Sequence, residues 1–344
     1  MAQQNAGDPQ QAGPAEFLFH LLGGKARAQA VSTVAALGVA DRMIAGPRRL
    51  DDLAAELGVP LALLQPLLRM CAGLGMFHSP EPGSYALTER GACLRSDRLG
   101  PFAAFAGSRE QWEPWGRLRE CATGEVAFER AFGTGMYPHL AAHPEAAALY
   151  DAAIDAFTAH EAAVLCERFD FSAFRHVVDV GGGRGALLAA ILTRWQHLQG
   201  TLFDLPHVAA AAAEPLRRRC GDRAVATGGD FFIAVPEGAD AHLVKHVVHN
   251  WDDARAKLLL RRCLANLAPG GRLLVVEFVL APDDRPDLAA TMDLEMLVLN
   301  GGRVRRRPEL RRLLADAGLS IERMVDLGSG NWLFVAKPGS TTAA

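Results

Sequence analysis

The stretch Val177-Val178-Asp179-Val180-Gly181-Gly182-Gly183-Arg184-Gly185 decides the fold of this 344-residue chain. Four residues of buried-strand character run into a glycine cluster, and a helical pattern follows over Ala186–Trp195. Glycines let the backbone turn sharply and approach a ligand that a Cβ would push away. A strand, a glycine turn and a helix in that order place a nucleotide-like ligand at the carboxyl end of the first parallel strand.

Strand and helix patterns alternate from Phe174 onward. Strands are expected at His176–Val180, Gly200–Phe203, Arg223–Thr227, His242–Lys245, Arg272–Glu277, Ser320–Val325 and Trp332–Ala336. Helices are expected between them at Ala186–Trp195, Val208–Arg219, Asp252–Leu267, Leu288–Leu299 and Pro308–Ala317. This alternation predicts an α/β domain over 171–337, a Rossmann-like, doubly wound sheet of seven mostly parallel strands. Residues 338–344 read as a tail.

The N-terminal half has a different pattern. After a Gln-, Ala-, Gly- and Pro-rich tail over 1–14, residues 15–100 are mainly helical. Leu50–Leu57, Gly58-Val59-Pro60 and Leu61–Gly73 read as helix, tight turn, helix, and Leu74–His78 with Ser84–Leu87 as a hairpin. The set has the order of a winged helix. Between 48 and 98 there are six basic and six acidic residues, and the second helix is almost entirely apolar. A groove-reading helix needs polar tips, so dimerisation or core packing is favoured over DNA reading. Residues 101–170 form a helical connector expected to contribute to a substrate pocket.

Composition narrows the function classes. A net charge of −3 carries no footprint for nucleic acid or an anionic membrane. The six cysteines are scattered without metal-ligand spacing, which reads as free thiols in a reducing cytoplasm. No apolar run reaches membrane-spanning length, and residues 1–14 lack the order of a signal peptide.

Candidate site residues collect at strand ends. Gly181, Gly183 and Ala186 fit a dinucleotide fingerprint, and Asp204 closes the second strand where an acid accepts ribose hydroxyls. Those two motifs fit NAD as well as S-adenosylmethionine. Gly229-Asp230-Phe231-Phe232 adds a carboxylate and an aromatic for an adenine. Lys245 to His249, and Glu277 behind Leu267-Ala268-Pro269-Gly270-Gly271, fall at further strand ends.

Together with Phe203-Asp204-Leu205-Pro206-His207-Val208 and Lys245-His246-Val247-Val248-His249-Asn250-Trp251-Asp252-Asp253, these motifs resemble the class I S-adenosylmethionine-dependent O-methyltransferases. The resemblance is to the caffeate-type branch, with its bacterial enzymes that methylate phenazines, polyketides and other phenolics. It covers nearly the whole chain, including Ala36-Leu37-Gly38-Val39-Ala40-Asp41 and Tyr85-Ala86-Leu87-Thr88-Glu89-Arg90-Gly91 of a winged-helix dimerisation domain. It implies a cytoplasmic homodimer that binds S-adenosyl-L-methionine, releases S-adenosyl-L-homocysteine and takes a hydroxylated aromatic substrate. No metal, nucleic acid or membrane is implied.

Carried onto this sequence, the resemblance implies cofactor contacts from Gly181, Gly183, Asp204, Leu205, Asp230, Phe231 and Lys245. His249 matches the catalytic base and Glu277 the acid that orients it. Asn300 matches a substrate-contacting asparagine, and Asp293, Met292, Met296, Trp112 and Met136 are further pocket candidates. Two positions depart from the plant pattern: Val304 replaces a second acid, and Asn250 replaces the acid after the base. His249 then has Glu277 as its single carboxylate partner, or Asp293 contributes.

A neutral histidine backed by a carboxylate is suited to deprotonate a phenol of pKa ~10. Other readings are N-methylation or cofactor-assisted hydroxylation on the same fold, and a winged-helix regulator that senses a small molecule. His197, His207 and His246 have no partner evident in the sequence and read as structural. The arginines from Arg303 to Arg312 read as a solvated helix start balanced by Glu309 and Asp316.

Overall fold

The computed structural model describes residues 13–339. Of the tails expected over 1–14 and 338–344, residues 1–12 and 340–344 fall outside them, while Pro14 opens a helix and Pro338 closes a strand. The described residues form two compact units. One comprises the chain up to Trp112 with Ala152–Ala156, the other Glu113–Asp151 with Phe157 onward.

In the first unit, the helices Leu50–Leu57 and Leu61–Gly73 meet at a tight turn. Gly58 ends the first helix in the left-handed region (φ 65°), and Pro60 precedes the second in extended backbone. Three short strands complete the wing: β1 (Arg48–Arg49), β2 (Phe77–His78) and β3 (Ser84–Leu87), in the antiparallel order β1-β3-β2. Strand β1 was not expected, because two residues carry no periodicity. Leu53, Leu64, Leu68, Cys71 and Phe77 form the core. Leu61, Leu63 and Met70 face outward on the second helix, apolar where a groove-reading helix presents polar tips. The helix Pro14–Leu22 buries none of its residues and exposes Phe17, Leu18, Phe19, Leu21 and Leu22.

The second unit is built on strands β4 (His176–Val180), β5 (Gln199–Asp204), β6 (Ala224–Gly228), β7 (Ala239–Lys245), β8 (Leu267–Leu280), β10 (Leu319–Gly328) and β11 (Asn331–Pro338), with the two-residue β9 (Arg305–Arg306) beside β8. Their order is β10-β11-β8-β7-β4-β5-β6. Strands β4 to β8 pair in parallel, and β11 and β10 are antiparallel. All seven expected strands are present. Successive strand residues feed opposite faces, and both faces are covered, as a parallel sheet requires. Val177, Leu243 and Leu274 pack toward the helices Pro144–Arg168, Ala186–Arg194 and Pro206–Cys220. Val178, Val244 and Val275 pack toward Asp253–Ala265 and Arg307–Asp316.

Strand β8 is longer than the expected Arg272–Glu277. It gains partners on both sides, β7 and β11, and its far end pairs with β9 through Val279↔Arg305. Strand order reverses at β4, which lies between β5 and β7, and the crevice beyond the carboxyl ends opens there. Among the described residues no single helix is long and apolar enough to cross a membrane.

Candidate active site

The turn after β4 is held by glycines in the left-handed region, with φ of 73° at Gly181, 59° at Gly183 and 81° at Gly185. Side chains rarely adopt that conformation, so the turn needs glycine at all three positions. Asp204, at the end of β5, accepts the Gly183 N–H at 2.8 Å and the Leu205 N–H at 2.7 Å. Burial pushes its carboxyl pKa up, and those two N–H groups pull it down. Leu205 itself is exposed.

Phe231 lies near Gly181, since a Cβ on that glycine would sit 3.9 Å from the phenyl ring and 2.8 Å from Val247. Its ring stands edge-on to Phe232 and Trp251. Asp230 is exposed and accepts the Phe232 N–H at 2.8 Å. Lys245 is turned inward. Its Nζ lies 2.6 Å from Glu161 Oε2, on the helix Pro144–Arg168. Glu161 Oε1 also receives His246 Nε2 at 2.9 Å and Asn331 Nδ2 at 2.8 Å. Against the upward push of burial, His246 and Lys245 bring the Glu161 pKa down to about 2. The reading of His246 as partnerless is therefore corrected. Its partner lies 85 residues earlier in the chain, beyond the reach of any local pattern. His197 Nε2 sits near the Ser172 and Phe174 carbonyls.

His249 sits in the short turn Val248–Asn250 after β7, with its side chain 8% exposed. Its Nδ1 is 2.8 Å from Glu277 Oε2, whose side chain is 2% exposed. Glu277 Oε1 accepts the Val248 N–H at 2.8 Å and the His249 N–H at 3.4 Å. Burial alone would raise the Glu277 pKa, but His249, His246 and the Val248 N–H hold it below the usual carboxylate value. A carboxylate at ion-pair distance from Nδ1 favours the tautomer with its proton on that nitrogen and the lone pair on Nε2. Gly302 backs the turn closely: a Cβ there would stand 2.3 Å from the His249 carbonyl oxygen.

Asp293 does not reach His249; it accepts the Val304 N–H at 2.8 Å. Glu277 is therefore the carboxylate on the ring. Asn300 donates through Nδ2 to Asn250 Oδ1 at 3.0 Å, and its own buried Oδ1 has no partner among the described residues. Met292, Met296 and Asn300 share the helix Leu288–Asn300. Met136 packs in one cluster with Val298 and Leu299 of that helix. Trp112 belongs to the first unit.

The solvated reading of the arginine run needs one correction. Arg303 does pair with Glu309 at 2.7 Å, but Arg305 is 3% exposed. Charge counts along a sequence cannot tell which arginine of a run turns inward.

His246, His249 and Glu277 offer three possible metal donors within 4.8 Å of one another. The two imidazoles lie face to face, 5.4 Å between centroids and 27° between planes. Each ring already has a carboxylate beside one nitrogen, His246 Nε2 at 2.9 Å from Glu161 and His249 Nδ1 at 2.8 Å from Glu277.

Comparison with known proteins adds the family. Residues 115–320 match the O-methyltransferase domain, and residues 19–97 the O-methyltransferase dimerisation domain. The chain belongs to this O-methyltransferase family. It is 38% identical over 94% of its length to a phenazine O-methyltransferase of Lysobacter antibioticus, covering 96% of that protein. It is 36% identical to a mitomycin biosynthesis 6-O-methyltransferase of Streptomyces lavendulae, over 95% of each chain. A calicheamicin-biosynthesis methyltransferase solved in its SAH-bound form superposes with a TM-score of 0.83 at 31% identity, over 94% of this chain and 98% of that one. This O-methyltransferase uses S-adenosyl-L-methionine.

The glycine turn and Asp204 fit that cofactor, and Asp179 adds a feature the sequence reading left without a role. Asp179 is 1% exposed, and its Oδ2 has no hydrogen-bond partner among the described residues. Burial raises its pKa to about 7; Lys245 opposes the shift and Asp204 adds to it. The folded state thus keeps a proton that the unfolded chain gives up above about pH 4, and folding stability falls as pH rises from there to about 7. Asp179→Asn should therefore raise the melting temperature of the ligand-free O-methyltransferase more at about pH 8 than at about pH 5. An equal change at both pH values, followed by scanning calorimetry, would mean that Asp179 is already ionised in the fold.

Proposed function

We propose that the enzyme methylates a hydroxyl of an aromatic natural product of phenazine, polyketide or phenolic type, with His249 as the general base. The observation that carries this reading is the buried His249–Glu277 contact of 2.8 Å. It stands two residues from Val247, which packs on Gly181 of the glycine turn.

The chemistry follows from the ring's surroundings. Glu277 keeps the proton on Nδ1, and Nε2 takes the proton of the acceptor hydroxyl as the new O–CH₃ bond forms. The imidazolium that results is paired with Glu277, which its neighbours already hold in the ionised form. The sulfonium of S-adenosylmethionine supplies the methyl group and leaves as a neutral thioether. Asp204 is the ribose ligand in this reading, with Gly181, Gly183, Leu205, Asp230 and Phe231 framing the rest of the cofactor. Lys245 acts through Glu161. The free Asn300 Oδ1 accepts a hydrogen bond from the substrate, and Met136, Met292 and Met296 supply apolar surface near it. Alignment of nucleophile and methyl group provides most of the remaining rate.

His249→Gln should lower turnover on a hydroxylated aromatic, with labelled S-adenosylmethionine as methyl donor, by about 10²–10⁴-fold. Affinity for S-adenosylhomocysteine, measured by calorimetry, should stay nearly unchanged. Parallel loss of that affinity would sink the base assignment.

The dimerisation domain supports a homodimer, and we assign the uncovered apolar helix Pro14–Leu22 to that interface. Replacing Phe19 and Leu22 together by Asp should shift sedimentation toward the monomer. A dimer unchanged by the double replacement would place the interface elsewhere.

A further inference from the structure

We propose that Arg305 is a positioning residue of the active site, whose guanidinium holds the turn that carries His249. The inference rests on the reading of His249 as the base and adds what keeps that base in place.

The turn Val248–Asn250 is three residues long and makes two long backbone bonds of its own, Asn250 N–H to the Val247 carbonyl at 3.2 Å and Trp251 N–H to the Val248 carbonyl at 3.3 Å, which leave the rest of its polar groups to outside partners. Its N–H groups at Val248 and His249 are taken by Glu277. Its carbonyls are taken from the opposite side. The Arg303 N–H donates to the His249 carbonyl at 2.9 Å. Arg305 Nη1 donates to the Val248 carbonyl at 3.1 Å, and Nη2 to the Trp251 carbonyl at 2.8 Å. Arg305 Nε and Nη2 also donate to Asp253 Oδ1 at 2.9 and 2.7 Å, which balances the buried charge just beyond the turn.

Both grips hang from one strand. Glu277 is a residue of β8, and Arg305 is fixed to the same strand two residues later by the pairing Val279↔Arg305. A carboxylate and a guanidinium mounted on one rigid element thus hold the N–H and C=O sides of the base turn. Only a planar fork with several donors can span two carbonyls and a carboxylate at once. Lysine keeps the charge but not the fork. Its donors are spent on the Val248 and Trp251 carbonyls and on Asp253, so its influence passes through the backbone of His249.

The test is a double-mutant cycle between Arg305→Lys and His249→Gln, read in kcat for a hydroxylated aromatic acceptor and in S-adenosylhomocysteine affinity. With His249 present, Arg305→Lys should lower kcat by about 10- to 100-fold, the cost of a displaced catalytic group, with cofactor affinity within about 2-fold. In the His249→Gln background, the same replacement should cost less than about 3-fold. Equal losses in both backgrounds, wild-type kcat in Arg305→Lys, or a matching loss of cofactor affinity would each overturn the positioning role. If His249→Gln alone leaves kcat unchanged, the base assignment falls and takes this inference with it. Asp253→Asn, more than half exposed and outside the turn, provides a second variant should Arg305→Lys not fold. It should show the same pattern at about 3- to 10-fold, since it removes the counter-charge that anchors the fork; no change in kcat there would also count against the proposal.

Discussion

The molecule depends on β4 lying between β5 and β7. With parallel partners on both sides, the strand has no free edge, and the segments leaving β5 and β7 part in opposite directions. The glycine turn after β4 occupies the resulting gap. Asp204 reaches it from one side and Val247 from the other. Everything proposed for the site hangs on those two approaches. A sheet with β4 at its edge would bring only one of them to the turn.

Much of this arrangement was legible in the sequence because its parts sit at the ends of local patterns. A run of buried-strand residues followed by glycines marks its own carboxyl end, and so do Asp204, the Lys245–His249 segment and Glu277. The same logic located all seven long strands. It does not locate β1 and β9, two-residue strands that show neither alternation nor a hydrophobic run. Strand β9 nevertheless matters, because it fixes Arg305 to β8.

What escaped the sequence are partners separated by long stretches of chain. Glu161 meets Lys245 and His246 across more than eighty residues, and it stands on a helix whose pattern gives no reason to single out one acid. The family resemblance implied that Lys245 is a cofactor contact; its inward turn toward Glu161 is a property of packing. Arg305 was hidden for the opposite reason, standing among similar neighbours. In a run of basic residues, burial is decided by which side chain follows the strand direction, and two residues of strand are too few to read. The twin gripping of one turn through its N–H and C=O groups has no sequence signature at all, since backbone groups look alike in every residue.

The seclusion of His249 has a consequence for the cycle as a whole. With this ring as base, each methyl transfer leaves it holding a proton at a position almost closed to water, beside a carboxylate that stabilises the charged form. The catalyst is not ready again until that proton has gone to solvent. A methylated product has lost the hydroxyl proton and cannot carry it away as an acid. Departure of the product therefore does two jobs, clearing the pocket and wetting the imidazole, and a slowly leaving product would hold back regeneration of the base as well as the next substrate.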